Sequence, residues 1–130
     1  MSTLDDRLAG KNVLIVENEW LIADDLRRVL LSHGVNVVGP VASVDQAFDL
    51  IGRTPTIDAA ILDIHLGNRS DVYPVARALQ GRGIPFVFTT GYDKSSVRGD
   101  FAGTPHLVKP FNPAAIGPAL TAASSKTNPP

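Results

Sequence analysis

Asn12-Val13-Leu14-Ile15-Val16-Glu17-Asn18-Glu19 is the stretch on which the fold turns. Asn12–Val16 is short, apolar and rich in β-formers, as a strand buried on both faces must be. An acidic cluster closes it. The period then changes: Ile22, Leu26, Val29 and Leu30 recur at helical spacing, and Gly34 after His33 is a stop signal. A buried strand handing over to an amphipathic helix is the opening of a βαβ unit.

The alternation repeats down the chain. Val35–Val41 is β-branched and is expected to end at Gly39-Pro40. Ser43 can cap a helix with the inward stripe Val44, Ala47, Phe48 and Ile51. Ile57–Leu62 reads as a third strand. Ser70 or Asp71 can open a third helix with Val72, Val75, Ala76 and Leu79 inward, and Pro74 falls in its tolerant first turn. Pro85–Thr89 reads as a fourth strand, with proline first. Residues 92–105 carry a poor apolar stripe and are expected to form a short helix or an irregular loop. His106–Val108 is a last short strand. Asn112-Pro113 is a cap followed by an N1 proline. Pro118 would disfavour a helix interior by about 3 kcal/mol, so the final helix is expected to be short, kinked or held by packing.

Composition agrees with one globular domain. The chain has 130 residues, 44% of them hydrophobic and 19% charged, with a net charge of −1. That balance gives no electrostatic reason to bind nucleic acid or an anionic membrane. With no cysteine, disulfides, thiol catalysis and thiolate metal sites are excluded. No apolar run is long enough to span a bilayer, and the amino end does not read as a secretory signal. A cytoplasmic domain over residues 11–122 is expected, with an extension at 1–10 and a disordered tail at 123–130.

Five strands alternating with helices imply a parallel sheet covered on both faces. Ligands in such folds bind beyond the carboxyl ends of the strands. Those ends carry Glu17-Asn18-Glu19, Asp63, Thr89-Thr90-Gly91 and Lys109-Pro110-Phe111. A carboxylate can take a phosphoryl group. A hard cation held by carboxylates and carbonyls can neutralise phosphoryl oxygens, and an ammonium and a hydroxyl can bind them. Singly, each residue also has a plain structural use. Asp63 could form a turn, Glu17 and Glu19 could favour a helix dipole, Thr90 could cap a turn, and Lys109 could be a solvated charge. Their convergence from four strand ends is what points to phosphoryl transfer.

Over about Lys11 to Ala122 the chain resembles the receiver domains of two-component response regulators. Val13–Glu19, Ile61-Leu62-Asp63-Ile64, Phe88-Thr89-Thr90-Gly91-Tyr92 and Leu107-Val108-Lys109-Pro110-Phe111 carry the resemblance by order and spacing. It implies a flavodoxin-like, doubly wound α/β domain with five strands in the order 2-1-3-4-5. It implies that Asp63 is the phosphoacceptor, and that Glu17, Asn18, Asp63 and the backbone carbonyl of His65 hold Mg2+. It implies that Thr90 and Lys109 engage the phosphoryl oxygens. The implied donor is a phosphohistidine on a sensor histidine kinase or phosphotransfer protein, and the output is onward transfer or contact with a downstream protein. Apart from its own phosphorylation and dephosphorylation, no enzymatic activity is implied. A monomer or weak homodimer is expected.

The departures are specific. Asn18 brings no charge where the pattern has a second acid. Glu19, next to it, could assist. His106 stands where an aromatic usually swings inward. Thr89 replaces the Ala of a subgroup marked by Phe-Ala-Thr-Gly-Tyr, and Tyr92 is expected to take over the aromatic role. Asn18 and His106 leave open a pseudo-receiver that acts without phosphate. An aspartyl-phosphate hydrolase is disfavoured because no second Asp stands two residues after Asp63. A flavoprotein is disfavoured because no phosphate loop follows the first strand.

Overall fold

The computed structural model describes residues 8–67, 71–91 and 97–127. Its strands are β1 (Asn12–Val16), β2 (Asn36–Val41), β3 (Ala59–Asp63), β4 (Phe86–Thr90) and β5 (His106–Val108). The α-helices are α1 (Trp20–Ser32), α2 (Val44–Arg53), α3 (Tyr73–Gly81) and α4 (Ile116–Thr127). All strand pairs are parallel, in the order β2-β1-β3-β4-β5. This is the flavodoxin-like, doubly wound fold expected from the sequence.

Side-chain alternation along the strands divides the core in two. Leu14, Val16, Ala60, Leu62, Phe86 and Phe88 pack with residues of α2 and α3. Val13, Ile15, Ala59, Ile61 and Val87 point the other way and pack with α1 and α4. Burial on both faces is why these strands read as continuous apolar runs.

β2 spans Asn36–Val41, within the stretch Val35–Val41 expected from the sequence, with Gly39-Pro40 inside it rather than at its end. Proline is tolerated because β2 is the sheet's edge, where a missing N–H costs no ladder bond. The register with β1 shifts between Leu14 and Val16, opposite this point. Gly39 has φ +95°, and a Cβ there would lie 3.0 Å from the Val41 nitrogen, so the irregularity needs glycine.

Ser43 caps α2 as expected, accepting from the Gln46 N–H at 3.1 Å. Ala47 and Ile51 are buried, but Phe48 is exposed. It lies at the edge of the stripe, and Val44 and Leu50 pack against the core instead. In α3, Val72, Val75, Ala76 and Leu79 face inward as expected, with Pro74 in the first turn. Asp71 accepts from the Tyr73 N–H, while Ser70 lies outside the described residues.

Beyond β4, residues 92–96 lie outside the described residues, and Gly99–Phe101 forms one 3-10 turn. Asn112 caps a second 3-10 turn, Pro113–Ala115, through a bond from the Ala114 N–H. This turn leads into α4 and places Pro118 in that helix's first turn, where its missing N–H does little harm. Helix α4 therefore continues to Thr127, into the stretch expected as a tail. Ile116, Leu120 and Ala123 hold it to the sheet.

Candidate functional site

The strand order reverses at β1, between β2 and β3, so the carboxyl ends of β1 and β3 form a topological switch point. Glu17 and Asp63 stand there, both almost wholly buried. Their neighbour is Lys109, just after β5, whose side chain is only 9% exposed. The Lys109 Nζ lies 2.9 Å from Glu17 Oε1, 3.1 Å from Glu19 Oε1 and 3.3 Å from Asp63 Oδ2. One ammonium thus ties three carboxylates together.

Local backbone geometry orients the acids. The Glu19 N–H donates to Glu17 Oε2 at 3.0 Å as the chain turns into α1. The His65 N–H donates to Asp63 Oδ1 at 3.4 Å. His65 itself is exposed and pairs with Asp71 in an isolated antiparallel bridge. Thr90 is fully buried at the end of β4, and its carbonyl accepts from the Lys109 N–H at 2.7 Å. That bond carries the β4–β5 pairing beyond β5 and brings Lys109 to the site.

The electrostatics record the crowding. Burial pushes the Glu17 carboxyl up, the adjacent Asp63 carboxyl adds to the effect, and the Lys109 ammonium opposes it, leaving a pKa of about 7. Burial alone would lower the Lys109 pKa. Its bond to Glu17 and the charge of Asp63 outweigh burial and hold it above the ordinary lysine value.

A cation is the natural complement to this excess of buried negative charge. Ligand oxygens of Glu17, Glu19 and Asp63 can lie within 4.8 Å of one another. Glu17 Oε1 and Asp63 Oδ2 face Lys109 but have no hydrogen bond among the described residues. An oxygen-only donor set of this kind fits a hard divalent ion. Asn18 is exposed, and its Nδ2 would lie 3.2 Å from a Cβ at Gly67. Its amide therefore leans toward the loop after β3, while Glu19, given only an assisting part in the sequence reading, joins the cluster.

Two further features border the site. A groove of about 510 Å³ runs between α1 and the β5–α4 connection, lined in part by Glu19, Ile22, Asp25, Lys109 and Phe111. Trp20, the first residue of α1, is 73% exposed.

No protein-family model matches the chain. Solved structures do. SdrG from Sphingomonas melonis Fr1 is 41% identical, covering 95% of this chain and 98% of that one, with a TM-score of 0.77. A response regulator receiver protein from Burkholderia phymatum is 29% identical over 88% of this chain and 95% of that one, with a TM-score of 0.73. The chain belongs to the response regulator receiver domains. The receiver also resembles a response regulator from Burkholderia pseudomallei, 28% identical over 89% of this chain and 69% of that one, with a TM-score of 0.75. That structure contains a phosphorylated aspartic acid, a calcium ion and citrate. A BeF3-activated conformation of SdrG, described from Pseudomonas melonis Fr1, is 41% identical over 89% of this chain and 98% of that one, with a TM-score of 0.74. The receiver spans about half the length of the curated relatives it matches, which are bacterial regulatory proteins.

His106 lies in β5 opposite Phe88 and is half-buried. Tyr92, expected to supply the missing aromatic, lies outside the described residues. Sequence reasoning missed a different aromatic group. Tyr73, on α3, is buried and stacks on Phe101 with ring centroids 5.4 Å apart. Its hydroxyl accepts from the Arg98 N–H at 2.9 Å. Arg77 pairs with Asp100 and lies over the Phe101 ring. Together these contacts fasten the Gly99–Phe101 turn to α3.

Among the described residues, no helix is long and apolar enough to cross a membrane.

Proposed function

We propose that the receiver takes a phosphoryl group onto Asp63 from a phosphohistidine and signals through protein contact or onward transfer. The observation that carries this reading is the arrangement of Asp63, Glu17 and Lys109 at the switch point of the sheet. In-line attack by an Asp63 oxygen forms the O–P bond as the P–N bond breaks, and the electron pair leaves with the imidazole nitrogen. Lys109 is already in place to pair with the incoming phosphoryl oxygens, and Thr90, at the end of the adjacent strand, supplies a hydroxyl from the same edge. Glu17, Glu19 and Asp63 would hold Mg2+, with Asn18 and the His65 carbonyl completing the oxygen set. The ion would supply charge neutralisation on the phosphoryl oxygens. The donor is a sensor histidine kinase or a histidine phosphotransfer protein in the bacterial cytoplasm. The output is a downstream protein.

Intact mass after incubation with phosphoramidate and Mg2+ tests this directly. A gain of one phosphoryl group in the wild-type chain and none in Asp63→Asn is expected. An unchanged wild-type mass, or an adduct persisting in Asp63→Asn, would refute the assignment. One observation favours a second reading, a pseudo-receiver: Lys109 alone already engages all three carboxylates. Titration with beryllofluoride and Mg2+ separates the two, since a pseudo-receiver would not bind.

A further inference from the structure

Asp63 pairs with Thr89 in the β3–β4 register, and Thr89 pairs with Leu107 in β5. Glu17 follows the Val16–Leu62 pair and so extends the same row to β1. Register partners in a parallel sheet project to one face, so the row sets a hydroxyl beside the two buried carboxylates, with strands about 4.8 Å apart. Thr89 is fully buried, and its Oγ1 has no hydrogen-bond partner among the described residues. The other buried oxygens in that position, Glu17 Oε1 and Asp63 Oδ2, at least face the Lys109 ammonium. Thr90 occupies the next row, with Val108, and projects to the opposite face. The two adjacent threonines therefore leave the strand from opposite faces, at the same carboxyl edge.

A buried hydroxyl without a partner is costly, and valine fills the same shape without that cost. What distinguishes this position from the apolar ones below it is the carboxylate next to it. Resting on the reading of Asp63 as acceptor, we propose that Thr89 is a positioning residue for Asp63. Its hydroxyl donates, through one buried water, to the carboxyl oxygen that does not bond phosphorus. This keeps the attacking oxygen turned toward the site and steadies the acyl carbonyl once the phosphoryl group is on. No proton is transferred by Thr89.

The rate of phosphorylation by phosphoramidate with Mg2+, followed by intact mass, tests this in wild type, Thr89→Val, Thr89→Ala and Thr89→Ser, with a thermal melt of each. The expected result is a slowing of roughly three- to tenfold in Thr89→Val, the effect of one lost hydrogen bond. Its melting temperature should be unchanged or raised. Thr89→Ala, which cannot overfill the site, should slow likewise, and Thr89→Ser should stay within about twofold of wild type. A wild-type rate in Thr89→Val or Thr89→Ala would overturn the proposal, as would equal slowing in Thr89→Ser. An unmodified wild-type chain would overturn the acceptor assignment itself, and this proposal with it.

Discussion

At the scale of single residues, Glu17 carries the most consequence for pH. Its folded pKa of about 7 lies above its ordinary value of 4.5. Between these values the folded chain keeps a proton that the unfolded chain has released, so stability falls as pH rises through the window. Chemical unfolding in chelator at pH 5.5 and pH 7.5 should show the lower stability at pH 7.5. Glu17→Gln, which cannot ionise, should flatten the difference. Divalent-ion binding should weaken below pH 7 in the wild type, because the ion must displace that proton. Calorimetry in two buffers of different ionisation enthalpy would reveal proton release. Most of the site residues could be named from strand ends alone. The direction of Asn18 and the approach of Glu19 could not, because both depend on how the chain turns from β1 into α1.

At the scale of elements, residues 97–105, the described part of the connection that leads into β5, are held by aromatic and charged contacts to α3. Tyr73→Phe removes the acceptor for the Arg98 N–H. It should cost about 1 kcal/mol, measured by denaturant unfolding, and should speed hydrogen exchange at Arg98. An unaltered exchange rate would show that the turn is held by ring stacking alone. The strands and α1 to α3 were legible because each repeats one hydrophobic period over several turns. The 3-10 turn was not, since Phe101 gives a single apolar signal and its partner Tyr73 is distant in sequence. Pro40 reads as punctuation for a related reason. Its cost depends on whether the strand lies at the sheet's edge, which is a property of topology rather than of the local sequence. Pro118 reads as costly on the same local ground; the 3-10 turn before α4 places it in a tolerant position, and packing of Ile116, Leu120 and Ala123 holds the helix, one of the outcomes expected.

At the scale of the whole molecule, the sheet separates two apolar layers that share few side chains. Leu79 is fully buried with α2 and α3, and Leu30 with α1 and α4. Leu79→Ala and Leu30→Ala should each cost about 2–5 kcal/mol. Because the sheet lies between them, the double variant should lose close to the sum of the two losses. A loss well short of the sum would mean that the layers relax together. The site at the carboxyl edge draws on both layers: Glu17 and Asp63 continue strands packed on both faces, and Lys109 enters beside α4. Changes in charge at that edge therefore bear on both helical layers.

Trp20 gives this edge an optical readout. It is the chain's one tryptophan, sits three positions after Glu17, and is largely open to solvent. Its emission should therefore respond when ions or phosphoryl mimics change the field at the acids beside it, and a fluorimeter alone, with no label, could follow loading of the receiver in real time.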